Sequence, residues 1–450
     1  MKVIIAGGGL VGALNACFFA ERGYTVEVYD IRPDIRQMEH VPGRSINLAL
    51  SERGKTALER VGLKDYVTHS GVQMHARLVH DMDGKSFHRQ PYGQPGQHII
   101  SINRRHLNEI MISAAEKFPK IKFMFEHKVV KVDSRKKQLI CIDLNSGLEV
   151  VSSGDLILAC DGAHSAVRRS LIATPHFEYQ QEYIKHGYVE LNILSKDGDY
   201  AMEANVFHLW PRGDFTLIAL ANRDKTFTVT LFAPFSFFET EMGSNEKIIG
   251  TFQKFFPDAY ALLGDGHILE TFERMKPQPL VSIKCSPHHF GDSVLLMGDA
   301  AHSMVPFYGQ GMNCGFEDCY VLSEILNECG DDIGGVIKRY SEVRCKDCHT
   351  INDLAMYNYN ELKDLVNKFS YKLRKKFDLA MNRLFPSSWI PLYSMVSFTT
   401  IPYSKIVENR KWQDCMISRS LNVGGMAGVA CLAGIICLKY EVIKQFIVRS

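Results

Sequence analysis

At 450 residues, 46% hydrophobic and 23% charged, the chain has the composition of a globular protein long enough for two domains. Its 52 basic residues against 50 acidic ones leave a formal net charge of +2, so nothing in the overall balance calls for nucleic acid or an acidic partner. The 12 cysteines follow no regular framework, which argues against a disulfide scaffold and for reduced thiols in a cytosol-facing protein.

The chain opens on "MKVIIAGGGLVGALNACFFAERG". A secretory signal needs an unbroken apolar stretch, whereas Gly7, Gly8, Gly9 and Gly12 interrupt this one and charge returns at Glu21 and Arg22. Val3 to Ala6 instead predicts a buried strand. Gly7, Gly9 and Gly12 fit G-x-G-x-x-G directly after it, and Leu10 to Arg22 predicts a helix stopped by Gly23. "YTVEVY" (24–29) predicts a second strand ending at Asp30, an acid at the spacing that places a carboxylate on a ribose hydroxyl. The whole reads as a βαβ dinucleotide fold. One glycine makes the tight turn, one lets the backbone approach a pyrophosphate and one brings helix and strand together, while the first helical turn, with Leu10 and Val11, offers its N–H groups to phosphate.

Further along, "QPYGQPGQH" predicts a linker, and "GDLILACDGAHSAVRR" predicts a strand, Leu156 to Ala159, ahead of Asp161-Gly162 and a helix bearing Arg168. The stretch 207–235 alternates apolar and polar residues with turn signals between runs, which predicts an antiparallel sheet. In "SVLLMGDAAHSMVPFYGQGMNCGFEDC" a strand, Val294 to Met297, runs into Gly298-Asp299, then into a glycine-bearing loop and helix. In a flavin site Asp299 can accept from a ribityl hydroxyl, and backbone N–H groups around Gly309, Gln310, Gly311, Met312 and Asn313 can hold the flavin's carbonyl edge. "RCKDCHT" carries the spacing of a haem attachment, but its charge predicts an exposed helix and nothing else supports haem. "FPSSWIP" predicts a second linker. From Leu421 to Leu438 the chain is uncharged over 18 residues with basic residues on both sides, a helix of about 27 Å at ~1.5 Å per residue, which predicts a membrane tail anchor; a buried terminal helix is the alternative.

The glycine fingerprint, Asp161-Gly162 and Gly298-Asp299 on one polypeptide resemble the class A flavoprotein aromatic hydroxylases over roughly residues 1 to 410. Within that family "GRSINLALSERG" (43–54), "HGYVEL" (186–191), "GDYAMEAN" (198–205), "MYNYNEL" (356–362) and "IPLYSMV" (390–396) are similar to the branch that hydroxylates kynurenine. The resemblance implies an α/β chain: a Rossmann-like FAD-binding domain (1–180 and 285–375), an antiparallel substrate sheet (181–284, with 70–100 adding to the pocket), a helical region (376–420) and the anchor (421–438). It implies tightly bound FAD, NADPH as co-substrate without a domain of its own, and an electrophilic flavin peroxide that attacks the ring. The substrate's ring amine already activates the carbon, so no catalytic base and no metal are assigned.

By the same resemblance, Asp30 holds the adenosine ribose and Arg44 and Arg104 lie along the flavin and its pyrophosphate. Arg77 faces the substrate carboxylate with the Tyr92 hydroxyl beside it, and Asn358 and Tyr393 supply further polar contacts. Taken without the family, Arg77 reads as a solvated strand residue, and Tyr92, Asn358 and Tyr393 as turn and helix-packing residues. Phe232 and Phe307 are expected at the ring end, and His302 as a structural or pyrophosphate-side residue rather than a proton donor. The family's place on the mitochondrial outer membrane, catalytic part toward the cytosol, agrees with the tail. A hydroxylase of another aromatic acid and a membrane-bound flavoprotein redox sensor are the rival readings; oligomeric state is not legible.

Overall fold

The computed structural model describes residues 1–39, 47–94, 96–360 and 369–423. Arg44 and all of the expected anchor beyond Val423 lie outside them.

Lys2–Ala6 forms a strand whose last four residues are fully buried, because it runs through the middle of a sheet covered on both faces. That sheet has six strands in the order His289–Phe290, Val294–Leu296, Leu156–Ala159, Lys2–Ala6, Thr25–Tyr29, Ile121–Met124. All neighbours are parallel except the first pair. Helix Leu10–Glu21 is apolar nearly all round and buries ten residues, since helices Arg104–Ala115 and Gly311–Cys329 pack against it. These elements match the expected βαβ unit and its two later strand-turn-helix repeats within a residue or two.

The second layer is a seven-stranded sheet in the order Gln278–Ser286, Glu178–Ile193, Phe227–Pro234, Phe215–Ala221, Val206–Arg212, Ala76–His80, Phe87–Pro91. Its antiparallel middle is the sheet expected over 207–235. Strand Ala76–His80 joins it in parallel to Val206–Arg212, setting Arg77 beside Phe207. One face of the sheet is an apolar core with Val189, Leu191, Trp210, Leu217, Val229 and Leu231, closed by helices 235–274. By alternation the other face carries Arg77, Phe207, Ile218, Phe232, Tyr188 and Glu190, and it looks toward the nucleotide-binding layer.

Three expectations need correction. "QPYGQPGQH" is no free linker, because Tyr92 is buried against Ile99, Met74 and Leu220. "FPSSWIP" is no linker either: Trp389 is fully buried and its indole N–H donates to Asp378 at 2.9 Å. "RCKDCHT" is helical, within Ile333–Asn360, yet it is not an exposed face, since Cys348 is fully buried. In each case buried partners distant in sequence override a locally polar composition. Helices Phe369–Leu384, Leu392–Phe398 and Tyr403–Val423 complete the described chain, and no helix among the described residues is long and apolar enough to cross a membrane.

Candidate active site

The dinucleotide cradle follows from three glycines with different surroundings. Gly7 has φ +94°, and a Cβ there would sit 2.4 Å from the Cys160 carbonyl oxygen. A Cβ on Gly12 would lie 1.9 Å from the Gly7 carbonyl oxygen, so only glycine permits this helix-to-turn approach. Gly9 faces open space, with only the Arg32 guanidinium at 3.9 Å. Helix Leu10–Glu21, which begins with Leu10 and Val11, has neither a side-chain cap nor an acid in its first turn, leaving its N-terminal N–H groups for an anion.

Asp30 is buried at the end of strand Thr25–Tyr29 and accepts from the Gly8 N–H at 2.7 Å. Arg32, not singled out in the sequence, grips it through Nε at 2.9 Å and Nη2 at 2.8 Å. Burial opposes the Asp30 charge, but these bonds from Arg32 hold the carboxyl below its ordinary range. One Asp161 oxygen caps helix Ala166–Leu171 through the Ala166 N–H at 2.7 Å, while its Oδ1 is buried without a partner. Burial pushes this carboxyl up. Asp299, half-buried, opens a short helix just after Gly298, where φ is +58°. The buried Asn313 side chain accepts from the Ser51 N–H at 2.8 Å and donates to the Ala49 and Gly309 carbonyls, fixing the loop that carries Gly311 and Met312. An open cradle, an uncapped helix start and an orphaned buried carboxylate oxygen fit a bound dinucleotide. Arg104 begins helix Arg104–Ala115 and is exposed.

At the other end three expected residues meet. The Arg77 guanidinium lies 4.4 Å from the Tyr393 ring centroid and 5.6 Å from that of Tyr92, and the two rings stack at 5.9 Å. Burial opposes the Arg77 charge, but the hydroxyls of Tyr393 and Tyr92 more than offset it. Burial pushes the Tyr92 hydroxyl up, so it stays protonated and able to donate. Tyr308, not singled out in the sequence, also stacks on Tyr393 at 5.9 Å. Asn358 is placed differently: its amide donates to the Phe307 carbonyl at 2.7 Å, at the ring end of the pocket. Phe232 and Phe307 lie 5.2 Å apart.

Beneath the loop runs a buried charge network, centred on His302 and Asp318, that sequence reasoning missed. His302 Nε2 meets Asp318 at 2.5 Å, Arg344 donates to Asp318 at 2.8 Å and to Glu317 at 2.9 Å, and Arg53 pairs with Glu317. The Arg53 guanidinium lies 3.8 Å from the Tyr403 ring centroid, and the Tyr403 hydroxyl donates to Gln310 at 3.1 Å. Burial opposes charge on His302 and on Asp318, yet each holds the other ionised. Cys314 and Cys348 converge on the same imidazole and carboxylate.

Comparisons with known proteins bear on this arrangement. The family described as "FAD binding domain" matches residues 1–346. The chain is 62% identical to kynurenine 3-monooxygenase of Caenorhabditis elegans, over 96% of this chain and 98% of that protein. It is 44% identical to the Sus scrofa protein of the same name, over 93% of this chain and 88% of the relative. Among solved structures, a tetrameric 2-methyl-3-hydroxypyridine-5-carboxylic acid oxygenase superposes with TM-score 0.65 at 20% identity, over 82% of this chain and 93% of the other. Pseudomonas aeruginosa PqsL in complex with 2-aminobenzoylacetate gives 0.66 at 19%, over 81% and 97%. At that identity the structures speak for the fold alone.

Proposed function

This chain belongs to the FAD-binding monooxygenases, in the branch of the kynurenine 3-monooxygenases, and from that premise we propose that it hydroxylates L-kynurenine to 3-hydroxykynurenine with FAD, NADPH and O2. The observation that carries the substrate reading is the Arg77 cation set against the stacked pair of Tyr92 and Tyr393 on the cleft-facing side of the sheet.

Bound FAD supplies the electrophilic oxygen. The chain's residues do the rest. Gly7, Gly9 and Gly12 let the backbone approach the pyrophosphate, Asp30 takes the ribose, and the loop with Gly311, Met312 and Asn313 seats the ring. Asp161 and Asp299 offer carboxylate oxygens to the ribityl side, and Arg104, with Arg44, lies along the cofactor. Arg77 draws the amino-acid carboxylate into a bidentate, charge-assisted pair, and the Tyr92 hydroxyl donates beside it. Tyr393 stiffens the guanidinium by stacking. Phe232 and Phe307 flank the ring and exclude water, and Asn358 fixes the Phe307 backbone in that position. No residue is needed to deprotonate the ring, since its amine already enriches the carbon attacked.

The domain division at about 180, 284 and 375 remains our working description. The uncharged run 421–438 supports a tail anchor on the mitochondrial outer membrane with the catalytic body toward the cytosol. Incubation with kynurenine should couple NADPH oxidation to hydroxylated product mole for mole. Peroxide without product would point to another aromatic acid or to a redox sensor.

A further inference from the structure

We propose that Glu190 is the proton-exchanging carboxyl of the flavin cleft, taking up one proton when the bound flavin is reduced and releasing it on reoxidation. The inference rests on the reading that FAD occupies the cleft between the nucleotide-binding layer and the seven-stranded sheet.

Its placement follows from strand alternation. Val189 and Leu191 enter the apolar core, so Glu190 between them faces the cleft, directly across from Thr230 and one row from the Tyr188–Phe232 pair. Phe232 touches Phe307 of the flavin loop, and the next cleft-facing residue after Thr230 in the other direction, Thr228, donates to Asn47 at 3.3 Å. Asn47 belongs to strand Asn47–Leu50, whose partner strand Ile99–Asn103 leads straight into Arg104. Glu190 therefore lies at the seam where the two layers close on the cofactor.

In that seam Glu190 is only 5% exposed and its Oε1 has no hydrogen-bond partner. A buried acid that merely supports a fold is paired or hydrogen-bonded; one left bare marks a place where a charge is expected to come and go. Burial pushes the carboxyl up to about 7 against the pull of Arg104, so both protonation states are populated at neutral pH.

The groups around it are few. Arg104 faces it from the helix start and forms no ion pair among the described residues. Tyr188, on its own strand, has a hydroxyl pushed up by burial and by the Glu190 charge, so it stays neutral. Thr228, Thr230 and Asn47 are uncharged, and His267 reaches the strand only by accepting the Asn192 N–H at 3.1 Å.

Hydride transfer from NADPH adds two electrons and one proton to the flavin, so the cleft gains one negative charge. In a medium of low dielectric that charge makes a second anion costly. Glu190 then binds a proton from solvent at the Arg104 mouth, forming one O–H bond; reoxidation removes the added charge and the proton returns to solvent. No other group changes its bonds.

The test is a potentiometric titration of FAD-loaded protein between pH 5.5 and 8.5, with Glu190→Gln and Glu190→Asp. The wild type should show an extra fall of roughly 30 mV per pH unit, one proton per two electrons, beginning near pH 7. Glu190→Gln should lack that segment while keeping its flavin, and Glu190→Asp should retain it at a shifted pH. Reduced-minus-oxidised infrared spectra should show a protonated carboxyl band in the wild type that Glu190→Gln loses. Superimposable wild-type and Gln profiles would overturn the proposal. Failure of the wild type to hydroxylate kynurenine would instead overturn the substrate reading and leave the titration interpretable.

Discussion

Single residues decide whether the site binds anything. With a Cβ at position 12 placed 1.9 Å from the Gly7 carbonyl oxygen, Gly12→Val cannot keep both turn and helix, and the purified variant should lack the flavin absorbance that the wild type carries. Arg77→Ala should keep FAD but lose a contact worth roughly 1.5–3 kcal/mol, a ten- to hundredfold rise in the kynurenine KM by steady-state kinetics. Arg77→Lys should recover little, because an ammonium offers no bidentate fork and stacks poorly on the aromatic pair. Asp318→Asn strips the counter-charge from buried His302 and Arg344, a change of about 3–5 kcal/mol that a thermal melt would read directly. The pH dependence has a definite sign. His302, held charged above its ordinary value, contributes fully below the ordinary histidine range and loses that contribution progressively as pH climbs from there to the raised value. Asp318, held low, contributes at all pH above the ordinary carboxylate range and fails as pH falls through its depressed value. The melting temperature should therefore decline as pH rises through neutrality, where the folded state keeps a His302 proton that the unfolded chain has shed, and Asp318→Asn should lower the melting temperature and flatten that decline.

At the scale of elements, what was legible in the sequence was what is local. The strand before Gly7, the helix after Gly9 and the two later repeats each declare themselves within about 20 residues through periodicity and turn chemistry. Strand Ala76–His80 was read around Arg77 but its place in the sheet was not, because its parallel partner Val206–Arg212 lies some 130 residues away and no short-range signal encodes that pairing. Arg77, Tyr92 and Tyr393 came from family resemblance, and taken alone their sequence settings read as solvent or packing. Arg53, Glu317 and Arg344 were missed since charges on a helix ordinarily mark its wet side; here three such faces turn inward and neutralise one another. Helix Tyr403–Val423 is the element most open to trial. Arg410 pairs with Asp378 at 2.9 Å, Gln413 donates to the Ile390 carbonyl at 3.0 Å, and Met416 is buried. A chain ending at Asn409 severs these contacts in mid-helix, so it should melt several degrees lower and shed flavin, whereas one ending at Val423 should keep both, as flavin fluorescence during heating will report.

For the whole molecule, the proposed tail anchor would separate location from catalysis along the chain. If the uncharged run beyond the last described helix is the anchor, Ala430→Arg places a charge near its centre at a cost of about 2.5–3.5 kcal/mol and should move protein from the membrane pellet to the supernatant with kcat unchanged. Retention of the variant in carbonate-washed membranes would locate the attachment elsewhere. The body does not end where the flavin motifs end. Arg53, from the helix after strand Asn47–Leu50, lies against Tyr403, and Tyr403 props Gln310 of the flavin loop. For the gene this sets an uneven landscape of damage. A premature stop or frameshift anywhere before codon 403 deletes a prop of the cofactor pocket and should behave as a complete null, however late it falls in the reading frame. If the anchor reading holds, a lesion past codon 423 should spare the chemistry and change only the address, so that two truncations some twenty codons apart produce different phenotypes.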